Sequence, residues 1–399
     1  MQIDTAGTNA VFEVRFDGSA AGWGPLDLSD HDLVLVVASD DMAGFDSSDF
    51  VVDVGEPGYS SFVRCRQYST SQAQHLIPPH HTLSGVGDWV ILGVHLSGDG
   101  TTNGPLTKTN VQDVKVRVND NNRNIRVRIA YIGFARKSQV LTGCKLCFAF
   151  DDGRTSQRTF AAPEMRSHGL FGTYFITPNI PAGSSIEPPD TVMTLEQLQE
   201  LSRDYGGMMG FHADTAALAS SDMGWSAAGH RFLESEIRSA MAWIAKNGLN
   251  TDGGCASVRG EYNNNSRYED PQISGHSNAL PVLRKHFRYH RTVNEGFETA
   301  PVIDPYRLRS LSVQGSHTPT EIMDRIGEAA AENAIYILSF HSFVDGAGSG
   351  TQYSEADFAS ICSQVETEVG NGNVRVMHIG AAIDSCGGPL YFDPKGPIT

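Results

Sequence analysis

The stretch Cys144-Lys145-Leu146-Cys147-Phe148-Ala149-Phe150-Asp151-Asp152-Gly153 decides how the rest of the chain is read. A short apolar run closed by a polar glycine turn reads as a buried strand that ends at Asp151. Two adjacent carboxylates then sit where the strand opens. Neighbouring carboxylates repel, so a cation or a shared proton is needed to hold both. Such a pair can divide the labour, one oxygen a metal donor and the other a general base on its water. The same three residues also suit a plain Asp-Asp-Gly turn. Cys144 and Cys147 have CxxC spacing, but they lie inside the apolar run with no second pair and read as packed strand cysteines.

Downstream, strands and helices alternate. Residues 159–168 read as a helix ended by Gly169, and residues 172–177 as the next strand. A helix over 194–205 stops at Gly206-Gly207. Leu233, Ile237, Met241 and Ile244 form one apolar stripe on a helix over about 231–246. Further strands are expected at 334–340 and 374–378, with a helix over 355–369 between them. Repeated β-then-α order means a parallel sheet wrapped by helices, and reactive residues in such folds sit where strands end.

Upstream the pattern is different. Residues 10–16 alternate with period two, 32–37 are an apolar run, and 89–96, 111–118 and 124–132 follow, separated by Gly, Asp, Asn and Ser clusters. This predicts a multidomain chain: an N-terminal antiparallel β-sandwich over residues 1–140 and a C-terminal β/α domain over 141–399. The segment VQDVKVRVNDNNRNIRVRIAYIGFAR resembles the last strands of jelly-roll carbohydrate-binding modules. The sandwich is therefore expected either to bind sugar or to serve structurally, for example in a homo-oligomer.

Four strand ends in the β/α region carry polar groups. They are Asp151-Asp152, His212 with Asp214 two residues on, Arg259-Gly260-Glu261-Tyr262, and His341 after Leu338-Ser339-Phe340. Taken singly, a His just past an apolar run is more often a satisfied core residue than a ligand, but together these ends put acid, base and cation-binding groups on one rim. The order of motifs over about residues 143–385 resembles the polysaccharide deacetylases of carbohydrate esterase family 4. That family's T-F-D-D-G compares with 148–153, its L-x-x-x-G-x-x-A-T-F-F with MRSHGLFGTYFI, its arginine motif R-x-P-Y with 259–262, and its late L-x-H with 338–341.

The resemblance implies a distorted (β/α) barrel and a metal-dependent deacetylase acting on an acetylated polysaccharide. Carried over by motif, Asp151 is the general base and His341 the acid. Arg259 holds Asp151 by charge, and the Tyr262 backbone N–H binds the oxyanion. Asp152 and His212 ligate a divalent metal, zinc or a similar ion. The family's His-x-x-x-His places its second imidazole at Ala216, which leaves Asp214, a water or no metal at all as the alternatives. Glu261 replaces the family's proline. Trp225 and Tyr268 are candidates for stacking on sugar rings, and Glu261 and Asn263 for bonding sugar hydroxyls. Asp304 is compared with a late motif that tunes the acid His, while His230 and His276 are expected in loops. A metal-independent lyase or glycosidase on the same barrel, and a glycan-binding virion protein, are the competing readings.

Composition narrows the partners. The chain has 30 Lys+Arg against 46 Asp+Glu, a net charge of −16, which repels a phosphate backbone and argues against nucleic acid. No apolar segment approaches the ~18 residues of a membrane span. The start Met1-Gln2-Ile3-Asp4-Thr5 shows no export signal. Its expected place is nonetheless extracellular or virion-associated, as in a phage depolymerase. Six cysteines in 399 residues do not make a disulfide scaffold.

Overall fold

The structure, a computed structural model, describes residues 2–4, 11–18, 20, 22, 25–29, 31–39, 50–67, 75–77, 90–94, 106–120, 124, 126–136, 142–178, 182–187, 190–212, 227–256, 280–293, 295–300, 302 and 304–386. They fall into two compact units, one holding the described residues up to 136 and the other those from 142 onward. Among the described residues no helix is long and apolar enough to cross a membrane.

The second unit is built on strands β1 (Cys144–Asp151), β2 (Gly172–Ile176), β3 (Met208–His212), β4 (Gly254–Ala256), β5 (Tyr289–Arg291), β6 (Leu311–Ser312), β7 (Ile335–Phe340) and β8 (Val374–Val376). They form one eight-stranded sheet in the order β5-β4-β3-β2-β1-β7-β6, with β8 beside the start of β1. Every pairing in it is parallel. The sheet curls until its edges approach: Leu308, just ahead of β6, bridges Arg291 of β5. The bridge is made by Leu308 N to His290 O at 3.1 Å and Thr292 N to Leu308 O at 2.8 Å. A curled parallel sheet of this kind fits a distorted (β/α) barrel.

Period-two alternation sorts the side chains of these strands into two cores. Leu146, Phe148 and Phe150 of β1 pack outward with Leu338 and Phe340 of β7 and with Ile322, Ile326, Phe358 and Ile361 of the helices Pro319–Ala331 and Glu355–Gly370. Phe340 sits 5.1 Å from Phe358, edge to face. The other parity, Cys147, Ala149, Phe175, Ala256, Tyr289, Ile335 and Ile337, fills the inside of the curl. Gly254 is required there, because a Cβ would meet the Tyr289 ring at 2.0 Å. Cys144 and Cys147 thus face opposite cores as free, buried thiols. Continued to the C-terminal strand ends, the inner parity reaches Asp151, His212, Arg291 and Ser339.

Several elements lie where the sequence did not mark them. The helix expected over 159–168 starts as a π-turn at Gln157–Ala161 before Ala162–Ser167. The helix Pro319–Ala331, with a Thr318–Glu321 capping box, was not foreseen, nor were β5 and β6. His230, expected in a loop, lies on the helix Ala227–Lys246.

The first unit has a four-stranded and a five-stranded sheet. Valines and leucines of both share one core, among them Leu33, Leu35, Val52, Val54, Val116, Val118 and Val127. Pairing is antiparallel except that Phe62–Gln67 and His75–Ile77 run parallel, a departure from the all-antiparallel expectation.

Candidate active site

At the end of β1 the chain turns sharply. Asp152 takes a left-handed conformation, φ 69°, followed by Gly153 at φ 64°. A left-handed aspartate is strained, and such strain persists where surrounding bonds fix it. Here the turn points Asp152 to the end of β3, where His212 Nε2 lies 3.2 Å from its Oδ1. Asp152 Oδ2 accepts from Arg154 Nη2 at 2.8 Å and Nε at 3.2 Å. Arg154 Nη1 also donates to Ser342 Oγ at 2.8 Å, just past His341.

Asp151 has a separate set of partners. Its Oδ1 accepts from Arg291 Nη2 at the end of β5. Its Oδ2 accepts from Ser339 Oγ at 3.0 Å and lies 3.8 Å from His341 Nε2. That last gap exceeds a hydrogen bond and leaves room for a bridging oxygen. Gln157 ties the two strand ends together, its Nε2 donating to Asp151 O at 2.6 Å and His341 O at 2.9 Å. Asp151, Asp152, His212 and Arg291 are buried, and His341 keeps 16% of its side chain exposed.

Charge sets the protonation states. Burial pushes the Asp151 carboxyl up, yet Arg291, His212 and His341 together hold it below its usual range. Burial likewise acts against the Asp152 anion, but its bond to His212, the charge of His341 and that of Arg154 hold it well below the carboxylate range. For His212 desolvation acts downward and is outweighed by the bond to Asp152 and the charges of both aspartates, so its value rises. His341 goes the other way, because its burial outweighs the pull of Asp151 and Asp152. One residue before Arg291, burial pushes His290 down to about 3, which leaves a neutral imidazole whose Nδ1 donates to Tyr306 O at 2.8 Å.

The structure therefore brings together Asp151, Asp152, His212 and His341 from the expected set. Arg259, Glu261, Tyr262, Asn263, Tyr268, Asp214, Trp225, Ala216 and His276 lie outside the described residues. Asp304 does not reach His341's Asp151 cluster by any described contact. It caps its own turn by accepting from Tyr306 N at 2.9 Å and faces Arg284 and Arg307 at 3.7 Å. Sequence reading missed Arg291, Arg154, Ser339 and Gln157. Ser339 was within reach of it, since it shares the inner parity two residues before His341.

A divalent ion is the group the resemblance implies, and the donor set can be tested for it. His212 Nδ1 faces Ala256 O at 3.3 Å, which turns Nε2 to Asp152 Oδ1. The remaining Asp152 oxygen carries two Arg154 N–H groups, and among the described residues no group of three His, Cys, Asp or Glu is placed to hold a metal. Catalytic zinc takes three protein ligands. The described residues do not fit a metal centre.

No family model matches the chain. No curated protein matches it. Among solved structures it is similar to the Xyl-CE4 domain of a multidomain xylanase from the hindgut metagenome of Trinervitermes trinervoides, at 11% identity and TM-score 0.35, over 62% of this chain and 92% of that one. It is similar also to a family 4 carbohydrate esterase from Streptomyces lividans, at 14% and 0.35 over 60% and 92%. A third is the Bc1960 peptidoglycan N-acetylglucosamine deacetylase, at 10% and 0.35 over 62% and 91%. Likenesses this distant say nothing of what the chain does, and its chemistry has to be read from its own side chains.

Proposed function

We propose that this chain hydrolyses acetyl groups from an acetylated polysaccharide, with Asp151 as general base and His341 as proton donor. One observation carries the reading: Asp151, ionised against Arg291 and Ser339, stands 3.8 Å from a neutral, partly exposed His341 at the mouth of the curled sheet. A water held by Asp151 attacks the acetyl carbonyl carbon and gives its proton to Asp151. The carbonyl π electrons move to oxygen, and the tetrahedral oxyanion collapses by breaking the bond to the sugar's nitrogen or oxygen. The proton passes from Asp151 to His341 and then to the leaving group, so acetic acid and a free amine or alcohol result and both side chains return to their starting states. No step is routed through a metal.

The likeness in motifs extends the proposal to residues beyond the described ones. Tyr262 would supply an oxyanion N–H and Arg259 a further charge. Trp225, Tyr268, Glu261 and Asn263 would contact the glycan, and Asp214 would stand near His212. The first unit we read as a jelly-roll-like module that docks on glycan or joins copies of the chain, in an extracellular or virion setting. A glycosidase is the weaker reading. Its two carboxyls flank the scissile bond from opposite sides, whereas Asp151 and Asp152 share one turn and each is held by its own guanidinium. The deciding assay is acetate release from O-acetylated and N-acetylated polysaccharides, with chain length followed in parallel. Shortened chains without acetate would contradict the proposal.

A further inference from the structure

Arg154 is one of the residues of this site that the proposed reaction leaves unused. It follows the Asp151-Asp152-Gly153 turn directly and is only 5% exposed. All three of its guanidinium nitrogens are engaged: Nε and Nη2 on Asp152 Oδ2, and Nη1 on Ser342 Oγ. Asp152 Oδ1 meanwhile faces His212 Nε2 at 3.2 Å, so both oxygens of this carboxylate are committed to positive or donor groups of the chain itself.

Buried charges are tolerated when they are matched. Here two carboxylates, Asp151 and Asp152, meet two guanidiniums, Arg291 and Arg154. Each arginine is always charged and cannot step aside by losing a proton. A divalent ion on Asp152 would add two positive charges beside a carboxylate that Arg154 and His212 already face. It would also sit within one carboxylate's width of the Arg154 cation, where repulsion in a buried setting is strong. To bind at Oδ2, it would have to displace both Arg154 N–H groups from that oxygen.

We infer that Arg154 is a built-in counter-cation that occupies the electrostatic place of a metal, so that the Asp152–His212 pair is closed to divalent ions and the site works without one. Arg154 is then a positioning residue. It fixes Asp152, and through Ser342 it braces the strand end that carries His341. The inference rests on the deacetylase reading for its chemistry, but its test does not.

The experiment is zinc retention by the full chain. Protein is dialysed to equilibrium against zinc chloride and its bound metal measured by mass spectrometry against the dialysate, for wild type and for Arg154→Ala, Arg154→Gln and Arg154→Lys, with folding checked by circular dichroism. Wild type and Arg154→Lys are expected to retain none. Arg154→Ala and Arg154→Gln should gain zinc, and adding His212→Ala should remove it again. A purely bracing role would lower stability without moving metal content. Stoichiometric zinc on wild type, lost in Asp152→Asn, would overturn the inference, as would folded Ala and Gln variants that stay metal-free. If neither of those variants folds, wild-type metal content alone decides. A chain that releases no acetate from any substrate would sink the proposed function and leave the zinc result standing.

Discussion

Removing the charge that holds the base is the most exacting perturbation. Arg291→Met keeps an unbranched apolar stem and deletes the guanidinium that pairs with Asp151. Arg291 is 0% exposed and Asp151 2%, so the remaining carboxylate stays almost wholly buried. Breaking a buried ion pair from one side costs roughly 3–5 kcal/mol. Ser339 Oγ at 3.0 Å and His341 at 3.8 Å still face Asp151, and Met packs readily against the Phe175 ring that Arg291 now covers. Both effects favour the lower end, about 3 kcal/mol. At ~2–4 °C per kcal/mol for a unit of this size, that is a fall of about 6–12 °C in the melting transition of the second unit.

The pH dependence adds a second readout. Asp151 is held below its usual range in the folded chain, so its contribution is present above the unfolded value near ~4 and fades as pH falls through the folded one. The deficit of Arg291→Met is therefore full at neutral pH and shrinks in acid, where the variant's carboxyl protonates. Thermal unfolding of wild type, Arg291→Met, Asp151→Asn and the double variant closes a cycle, and the coupling should exceed about 1 kcal/mol. A variant melting within about 2 °C of wild type at every pH would refute the claim that this pair anchors the site.

Two further outcomes are expected away from the centre. Thr318→Ala removes the bond from Glu321 N to Thr318 Oγ1 at 3.2 Å that starts the helix Pro319–Ala331, and should lower the urea midpoint by an amount worth about 1 kcal/mol. His168 faces Glu366 at 2.7 Å and Glu164 at 3.3 Å, and these bonds, the one to Glu366 first, raise its value against the opposing effect of burial. Its stabilisation is complete below the unfolded value near ~6.5 and lost as pH rises through the folded one. Denaturation of His168→Ala should accordingly show a deficit under ~1 kcal/mol at pH 5 that vanishes at pH 9.

What the sequence disclosed and what it hid follow from how local each cause is. β1 and β7 were legible because a short continuous apolar run bounded by turn signals reads as a strand buried on both faces, the first ending at Asp151 and the second one residue before His341. The inner parity of those strands is a local property too, so Ser339 was readable beside His341. Arg291 was not. It closes the three-residue strand Tyr289–Arg291 inside the basic run Arg284-Lys285-His286-Phe287-Arg288-Tyr289-His290-Arg291, which reads as solvated surface. What buries it is Asp151, 140 residues away, a partner that only the curled sheet supplies. Arg154 was hidden similarly: after Asp-Asp-Gly it reads as a turn residue in water, and its partner Ser342 comes from just past the end of β7, 188 residues away. The parallel pairing of Phe62–Gln67 with His75–Ile77 escaped notice because alternation marks strands and not their direction.

The most direct trial of the account is the appearance of free acetate, followed over time by proton NMR with a defined acetylated polysaccharide, for wild type beside Asp151→Asn. Wild type should release acetate while the polymer keeps its length, and the folded Asp151→Asn chain should fall to background, a loss of at least about a hundredfold. Equal acetate from both proteins, or a shortened polymer with every acetyl group in place, would contradict it.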